Sequence, residues 1–199
     1  MNPATILTLS RVLIAPIFAY VFISGYGSGT TAWIWIALGL TGLIELTDLL
    51  DGRVARSRGE VTDFGKVFDP VADSLSRQTV FISFMVSGII PLWMYLIFFY
   101  RDAFMQLLRI VCASSGIVLA ARKSGKIKAV LQGIGSFGVL FVILLQVYHT
   151  GLIPERIVGF HPGFWILLFP AIFTLLSVID YVVPNAKLIE KMMQPKAVK

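Results

Sequence analysis

Four aspartates at helical spacing are the residues of this sequence best suited to chemistry. Asp48 and Asp51 lie three positions apart, and Asp69 and Asp73 lie four apart, so each pair projects from one face of its own helix. Two such helices facing each other would bring the four carboxylates into one site. Clustered carboxylate oxygens suit hard divalent cations such as Mg2+ or Mn2+. The spacing therefore predicts an acidic metal centre at which the reaction takes place.

Two divalent ions held by these carboxylates would suit phosphoryl transfer, because they neutralise a diphosphate and stabilise the departing phosphate. A carboxylate left partly outside the metal shell can accept the proton of an attacking hydroxyl, and we expect Asp73 to be that base. The alternative is a solvated charged loop in which the acids pair with nearby basic side chains, namely Arg53, Arg56, Arg58 and Lys66. Charge beside apolar helices is expensive, which favours the site over the loop.

The composition places this site in a membrane protein. Of the 199 residues, 57% are hydrophobic, and the mean hydropathy is +0.83, more than a soluble domain of this length needs. A bilayer crossing takes about 20 apolar helical residues, and the qualifying stretches are roughly 12–24, 31–50, 70–90, 91–120, 128–149 and 163–183. We therefore predict an all-α integral membrane protein with six transmembrane helices, forming a single domain over residues 1–199.

The segment ahead of the first span, residues 2–10, alternates polar and apolar residues. This pattern predicts a short N-terminal amphipathic helix lying on the membrane surface. A signal peptide is the alternative for the first span, but no clear small-residue cleavage site follows it. The single cysteine, Cys112, lies in an apolar stretch, which predicts a buried and inert thiol.

Positive charge predicts the orientation in the membrane. Lys and Arg residues collect after the second, fourth and sixth spans, whereas Arg156 is the only one in the loops of the opposite face. By the positive-inside rule, both termini and the acidic motif face the cytoplasm, with residues 52–65 forming a hairpin at the cytoplasmic surface. We interpret the net charge of +6 as attraction to anionic lipids and substrates. Nucleic acid is not expected as a partner, because there is no continuous basic domain.

A second group of charged residues predicts an anion site. Arg101 and Arg109 lie eight positions apart, about 80° from one another around a helix, so both can face one cavity. Basic residues at the cytoplasmic end of the fourth and fifth spans add to them: Arg122, Lys123, Lys126 and Lys128. Because guanidinium groups suit phosphate oxygens, we expect a phosphorylated acceptor to bind Arg101, Arg109, Lys126 and Lys128.

Structural roles for the same residues remain open. Arg101 has an acidic neighbour, Asp102, with which it could pair, and Lys126 and Lys128 could simply obey the positive-inside rule. Arg77 follows Asp73 by four residues and could neutralise it as an i,i+4 ion pair.

The acidic region resembles the signature of the CDP-alcohol phosphotransferase family. Residues 48–73 match the pattern D-x-x-D-G-x-x-A-R-x8-G-x-x-x-D-x-x-x-D at every fixed position, and residues 3–11 (PATILTLSR) and 68–73 (FDPVAD) are similar to the phosphatidylglycerophosphate synthases of that family. The resemblance implies a six-span enzyme of the cell's inner membrane, usually a homodimer. Such enzymes transfer a phosphatidyl group from CDP-diacylglycerol to an alcohol and release CMP.

The resemblance also implies roles for single residues. Two ions, Mg2+ or Mn2+, are expected on Asp48, Asp51, Asp69 and Asp73, the last of which is also the base. The cytidine diphosphate part of the substrate is expected to contact Asp48, Gly52, Ala55, Arg56, Gly65 and Asp69.

The segments 100–109 and 122–132 are similar to the A-R-E through L-R and G-K-x-K-T-x-x-Q segments of phosphatidylglycerophosphate synthases, which implies sn-glycerol 3-phosphate as the acceptor. The sequence departs from them at Ser74, Tyr100, Asp102 and Ala129, where lysine, alanine, glutamate and threonine are usual. Inositol phosphate and serine therefore stay open as acceptors, as in phosphatidylinositol phosphate and phosphatidylserine synthases.

Two rival functions lie outside this enzyme class. A cation transporter would carry its acids near the span centres of two related halves, whereas these acids cluster at one end of two spans. A non-catalytic lipid-binding protein would be suggested by loss of a motif acid, and all four are present.

Overall fold

The computed structural model describes residues 3–58, 63–114, 123–149 and 151–193. The side chains of residues 51–58 and of several further residues near helix ends are outside that description. In the part described, the regular structure consists of six helices: α1 (Pro3–Gly25), α2 (Ala32–Arg58), α3 (Asp63–Val86), α4 (Leu92–Ser114), α5 (Lys123–Tyr148) and α6 (Pro162–Met193). The all-α prediction is confirmed.

Three of these helices contain stretches long and apolar enough to cross a bilayer: Ile6–Gly25, Ser124–Tyr148 and Pro162–Val183. α3 carries Asp69, Asp73 and Arg77 along its length, and these charges lower its hydropathy. Large apolar side chains point outward on the apolar helices, including Leu13 (70% exposed) and Phe169 (61% exposed), an arrangement that suits lipid and not water. The chain is therefore a membrane protein, and the crossing by all six helices stays a prediction.

The predicted hairpin at residues 52–65 is wrong in its extent. α2 continues to Arg58 and α3 already begins at Asp63, while residues 59–62 lie outside the described residues. A helix satisfies its backbone hydrogen bonds internally, so it can continue past the membrane surface into a charged segment. The charged residues after Asp51 consequently extend α2 where we expected a turn.

The predicted surface helix at residues 2–10 is also not a separate element. From Pro3 onward this segment is the first part of α1, which runs without a break to Gly25. Thr8 and Arg11 are buried, at 0% and 1% exposure. Their polar groups meet aspartates of other helices, so the polar face of this segment turns into the bundle and not toward the membrane surface.

The helices pack as two triplets. α1 packs most extensively against α2 and α3, and α6 packs against α5 and α4. Contacts between α3 and α4, and between α2 and α5, join the triplets. Phe22 and Phe84 meet edge to face with ring centroids 5.2 Å apart, and Phe81 stacks on Phe98 at 4.4 Å. This aromatic core fixes the relative positions of α1, α3 and α4.

Three glycines let α5 approach its neighbours closely. A Cβ atom added at Gly135 would lie 2.7 Å from Leu167 Cδ2, and one added at Gly138 would lie 3.1 Å from Ile166 Cγ2, both on α6. Gly133 faces α2 instead. The close packing at these glycines therefore occurs within one chain.

Aromatic residues mark the end of the bundle opposite the aspartates. Trp33 and Trp35 lie at the start of α2, Trp93 at the start of α4 and Trp165 at the start of α6. Trp35 Nε1 donates a hydrogen bond to the hydroxyl of Tyr148, the last residue of α5, at 2.9 Å. Tryptophan and tyrosine favour the membrane–water interface, so we expect this end to lie at one membrane surface and the aspartates toward the other.

The N-terminus of α6 is capped by a histidine at the same aromatic end. His161 Nδ1 accepts a hydrogen bond from the backbone N–H of Gly163 at 3.0 Å, and Nε2 lies 3.1 Å from Gln146 Oε1. This pattern requires the neutral ring, with Nε2 as the donor. Burial, together with the positive charge of Arg156, lowers the pKa of His161.

Candidate active site

The motif aspartates on α2 and α3 face one another across an arginine from α1. Arg11 Nη1 forms an ion pair with Asp48 Oδ1 and lies 4.0 Å from Asp73 Oδ1. Because one guanidinium reaches both acids, Asp48 and Asp73 border a common space. Asp69 is tied to the same helix, since Thr8 Oγ1 donates a hydrogen bond to Asp69 Oδ1 at 2.9 Å. Sequence reasoning missed Thr8 and Arg11, which lie far from the motif in the chain.

The other predicted motif contacts fall where less is described. Asp51, Gly52, Ala55 and Arg56 belong to the helical part of α2 whose side chains are outside the description. Gly65 lies in the first turn of α3, ahead of Asp69. The roles assigned to these five residues stay predictions.

Arg77 is a second buried cation at the site. Its Nε donates to Asp73 Oδ1 at 2.8 Å, so the i,i+4 pair expected from the spacing is confirmed. Nη2 lies 3.8 Å from Asp48 Oδ2, and Nη1 donates to the backbone carbonyl of Ala129 on α5 at 2.5 Å. One side chain thus connects α2, α3 and α5.

A fifth carboxylate, Glu45, belongs to this charge network. Its Oε2 lies 3.5 Å from Arg77 Nη2. Glu45 precedes Asp48 by three residues and so shares its face of α2. That spacing is a signal in the sequence, but sequence reasoning missed Glu45 because it lies outside the aspartate pattern.

The donor chemistry of the site fits a divalent cation. Asp48, Asp69 and Asp73 supply carboxylate oxygens, the ligands that Mg2+ and Mn2+ prefer. Among the side chains described, no three His, Cys, Asp or Glu groups converge as a ready ligand set, and the fourth motif acid, Asp51, is not one of those side chains. Arg11 and Arg77 provide the positive charge that acids in an apolar bundle require.

A cavity of about 200 Å³ lies beside Asp73. The basic residues predicted for acceptor binding all line it: Arg101 and Arg109 from α4, Lys126 and Lys128 from α5. The structure therefore brings the proposed base and the four basic residues to the borders of one space.

The basic residues that line the cavity differ in whether they pair with Asp102. Asp102 is buried, and it accepts hydrogen bonds from Lys128 Nζ at 2.6 Å, Arg101 Nη1 at 3.1 Å and Gln78 Nε2 at 3.2 Å. The pairing of Arg101 with Asp102, left open by the sequence, is thus present. Because the Lys128 ammonium is engaged by a buried carboxylate, Lys128 is less suited to hold a ligand phosphate than the sequence suggested.

The other two nitrogens of Arg101 have different surroundings. Its Nε donates to Ser177 Oγ on α6 at 3.1 Å. Its Nη2 lies 4.0 Å from the position that a Cβ atom would take at Gly125, so the missing side chain leaves space beside that nitrogen. Arg101 Nη2, Arg109 and Lys126 together form the cationic wall of the cavity.

Comparison with known proteins identifies the family of this chain. Residues 1–176 match the family described as CDP-alcohol phosphatidyltransferase. The CDP-diacylglycerol--glycerol-3-phosphate 3-phosphatidyltransferase of Bacillus subtilis is 29% identical over 190 residues, which cover 90% of this chain and 92% of that protein.

Two further relatives match over shorter regions. The enzyme of the same name from Treponema pallidum is 37% identical over 108 residues, 54% of this chain and about half (48%) of that protein. A probable cardiolipin synthase (CMP-forming) of Drosophila melanogaster is 31% identical over 106 residues, 53% of this chain and 31% of that protein. Since the family match extends over most of the sequence and includes the complete aspartate motif, this chain belongs to the CDP-alcohol phosphatidyltransferase family.

Proposed function

We propose that this protein transfers a phosphatidyl group from CDP-diacylglycerol to sn-glycerol 3-phosphate, giving phosphatidylglycerophosphate and CMP. The observation that carries the proposal is the cavity shared by Asp73, Arg101, Arg109 and Lys126. A phosphorylated alcohol needs a base for its hydroxyl and cations for its phosphate, and this cavity offers both. The names of the Bacillus and Treponema relatives support the same acceptor.

The metal ligands in this proposal are Asp48, Asp51, Asp69 and Asp73, holding two divalent ions, Mg2+ or Mn2+. The family generally uses a divalent metal, and the ions, when bound, would neutralise the diphosphate of the lipid substrate. Thr8 and Arg11 would orient the carboxylates, because hydrogen bonds from outside a ligand set fix the direction of its oxygens.

The residues of the cavity would then act in a defined order. Arg101, Arg109 and Lys126 bind the phosphate of the acceptor and place one alcohol hydroxyl of the same molecule near Asp73. Asp73 accepts the hydroxyl proton while the oxygen attacks the phosphorus that carries diacylglycerol. The new oxygen–phosphorus bond forms as the bond to the CMP phosphate breaks, and CMP leaves.

The nucleotide is proposed to lie over the junction of α2 and α3. Gly52, Ala55 and Gly65 have little or no side chain and would let a nucleotide approach the backbone. Arg56 would offer charge-assisted hydrogen bonds to the diphosphate. Asp48 and Asp69 complete this proposed contact set.

We further propose a six-span topology in the cell's inner membrane, with the active site and both termini on the cytoplasmic side. The distribution of Lys and Arg supports this orientation, and the aromatic belt supports a membrane surface at the end of the bundle opposite the aspartates. The family resemblance also leads us to propose a homodimer. The mass of the purified protein in lipid nanodiscs would test it, with twice the chain mass expected.

The acceptor can be tested directly with purified protein, CDP-diacylglycerol and Mg2+. We expect CMP release with glycerol 3-phosphate, loss of release with EDTA and no ion flux in vesicles. Serine, inositol 1-phosphate and phosphatidylglycerol serve as competing acceptors, the last because of the cardiolipin synthase relative. CMP release with one of these and none with glycerol 3-phosphate would overturn the proposal.

A further inference from the structure

Glu45 lies outside the four-aspartate motif, yet its carboxylate shares a cation with two motif acids. The guanidinium of Arg77 lies 2.8 Å from Asp73, 3.5 Å from Glu45 and 3.8 Å from Asp48, measured between the nearest nitrogen and oxygen atoms. Arg77 is nearly buried, with 8% of its side chain exposed, so its charge must be balanced by these neighbours and not by water.

The bundle keeps room for this carboxylate. A Cβ atom at Gly133 on α5 would lie 3.2 Å from Glu45 Oε1 and 3.3 Å from Oε2. These are tight distances, so any side chain at position 133 would press on the Glu45 carboxylate. Arg77 also donates to the Ala129 carbonyl, one turn before Gly133 on the same helix. Glu45 and Arg77 therefore both lie against α5, at the point where it meets α2 and α3.

A cation held among metal ligands competes with the metal. Asp48 and Asp73 are both proposed ligands, and each lies within 4.0 Å of an Arg77 nitrogen. The positive charge of Arg77 beside these two carboxylates lowers their attraction for a divalent ion. A third acid that draws the same guanidinium to itself lessens that competition.

We propose that Glu45 is a positioning residue of the metal site, which acts through Arg77 and keeps its charge partly away from Asp48 and Asp73. The inference rests on the metal site of the proposed function. It differs from a role of Glu45 as a metal ligand, in which the carboxylate would contribute to ion binding whether or not Arg77 is present.

The two roles are separated by a double-mutant cycle. Full-length wild type, E45Q, R77Q and the double variant are titrated with Mn2+ in detergent, and free Mn2+ is followed by electron paramagnetic resonance. We expect E45Q to weaken Mn2+ binding by about fivefold or more in the wild-type background, and by less than twofold in the R77Q background. An equal loss in both backgrounds would make Glu45 a ligand, and no loss in either would remove it from the site.

Two glycine variants test the same idea with every charge retained. G133A should crowd the Glu45 carboxylate and weaken Mn2+ binding in the same direction as E45Q. G42A is the matched control: Gly42 lies on α2 one turn before Glu45, and an added Cβ there meets no atom within 4 Å. Equal Mn2+ affinity in G133A, G42A and wild type would contradict the proposal. If R77Q does not fold, R77M takes its place in the double-mutant cycle.

The same titration distinguishes this inference from the proposed function. Wild-type protein that binds no Mn2+, or binds it unchanged in D69N, would contradict the metal site itself. Wild-type binding that is lost in D69N, with no coupling between Glu45 and Arg77, would contradict only the role of Glu45. A rise in the Mg2+ concentration for half-maximal CMP release, with little change in the maximal rate, is the expected kinetic counterpart in E45Q.

Discussion

The groups around Asp48, Asp69 and Asp73 come from three helices, α1, α3 and α5. Arg11 and Thr8 reach from α1, Arg77 from α3, and the backbone of α5 accepts from Arg77. Each motif acid described has at least one hydrogen-bond or ion-pair partner, which limits the directions its oxygens can take. The orientation of the carboxylates is thus a property of the packed bundle and not of the motif alone.

Replacing Asp73 by asparagine should lower the rate of CMP release by at least about 100-fold. An amide cannot act as a base for the proton of the attacking hydroxyl. L75A is the control, since Leu75 lies two residues away and is exposed on the outside of α3. Initial rates with purified protein, CDP-diacylglycerol and glycerol 3-phosphate measure the effect. Activity of D73N within tenfold of L75A would contradict the assignment of the base.

Lys126 and Lys128 should respond differently to the same change. K126Q should raise the KM for glycerol 3-phosphate by about tenfold, since a charged hydrogen bond is worth about 1.5 to 3 kcal/mol, and should leave the KM for CDP-diacylglycerol unchanged. K128Q removes one of the charged hydrogen-bond donors to the buried Asp102 and should chiefly destabilise the fold, by about 1 to 3 kcal/mol. Kinetics and thermal unfolding in detergent are measured together. A lower Tm for K126Q than for K128Q would contradict the structural role assigned to Lys128 and the binding role assigned to Lys126.

At this scale the sequence was informative about pairs that lie one helical turn apart. The i,i+4 spacing of Asp73 and Arg77 predicted their ion pair. The i,i+3 spacing of Glu45 and Asp48 likewise places both acids on one face of α2. Thr8 is separated from Asp69 by 61 positions and Arg11 from Asp48 by 37. No local pattern reports such contacts, because they depend on how α1 lies against α2 and α3.

The helices are held at close range by positions that lack a side chain. G135A should lower the free energy of unfolding by about 1 to 3 kcal/mol, because the added methyl group would meet the fully buried Leu167. G39A on α2 has no atom within 4 Å of the added Cβ and should be neutral or slightly stabilising. Thermal unfolding in detergent compares the two, and equal Tm values would argue against tight contact between α5 and α6.

The cap of α6 should make stability depend on pH. The pKa of His161 is lowered in the folded protein, so folding favours the neutral ring. Its contribution is fully present above the ordinary histidine pKa of about 6.5 and is lost as the pH falls through that value toward the folded pKa. H161N keeps a capping oxygen that does not titrate. Between pH 8 and pH 5.5 we expect the Tm of wild type to fall further than that of H161N, and parallel curves would count against the cap.

The presence of six helices could be predicted from the sequence, but the residues at which they begin and end could not. Apolar length identified the six elements, whereas the charged residues after Asp51 looked like a surface hairpin. A polar helix that leaves the membrane keeps its backbone bonds, so charge alone does not mark its end. The polar residues at the start of α1 could equally face water or a buried acidic site, and only the packing of the bundle decides between these two positions.

For the whole molecule, the proposed orientation places the aromatic end outside the cytoplasm. Val158, in the loop before α6, is 81% exposed, and Ala186 is exposed near the other end of α6. In a C112A background, V158C should react with a membrane-impermeant maleimide in intact spheroplasts, and A186C only after lysis. The opposite labelling pattern would invert the topology and place the acidic site outside the cell.

The ion pair between Arg11 and Asp48 also bears on how the chain enters the membrane. Arg11 lies toward one end of the apolar stretch Ile6–Gly25, where an arginine raises the cost of insertion by less than the roughly 2.5 to 3.5 kcal/mol that applies at the centre of a span. Its partner is made 37 residues later, so the first helix emerges from the ribosome with its charge uncompensated. Stable integration of α1 would then wait for α2, and the two helices would enter the bilayer as a pair during synthesis.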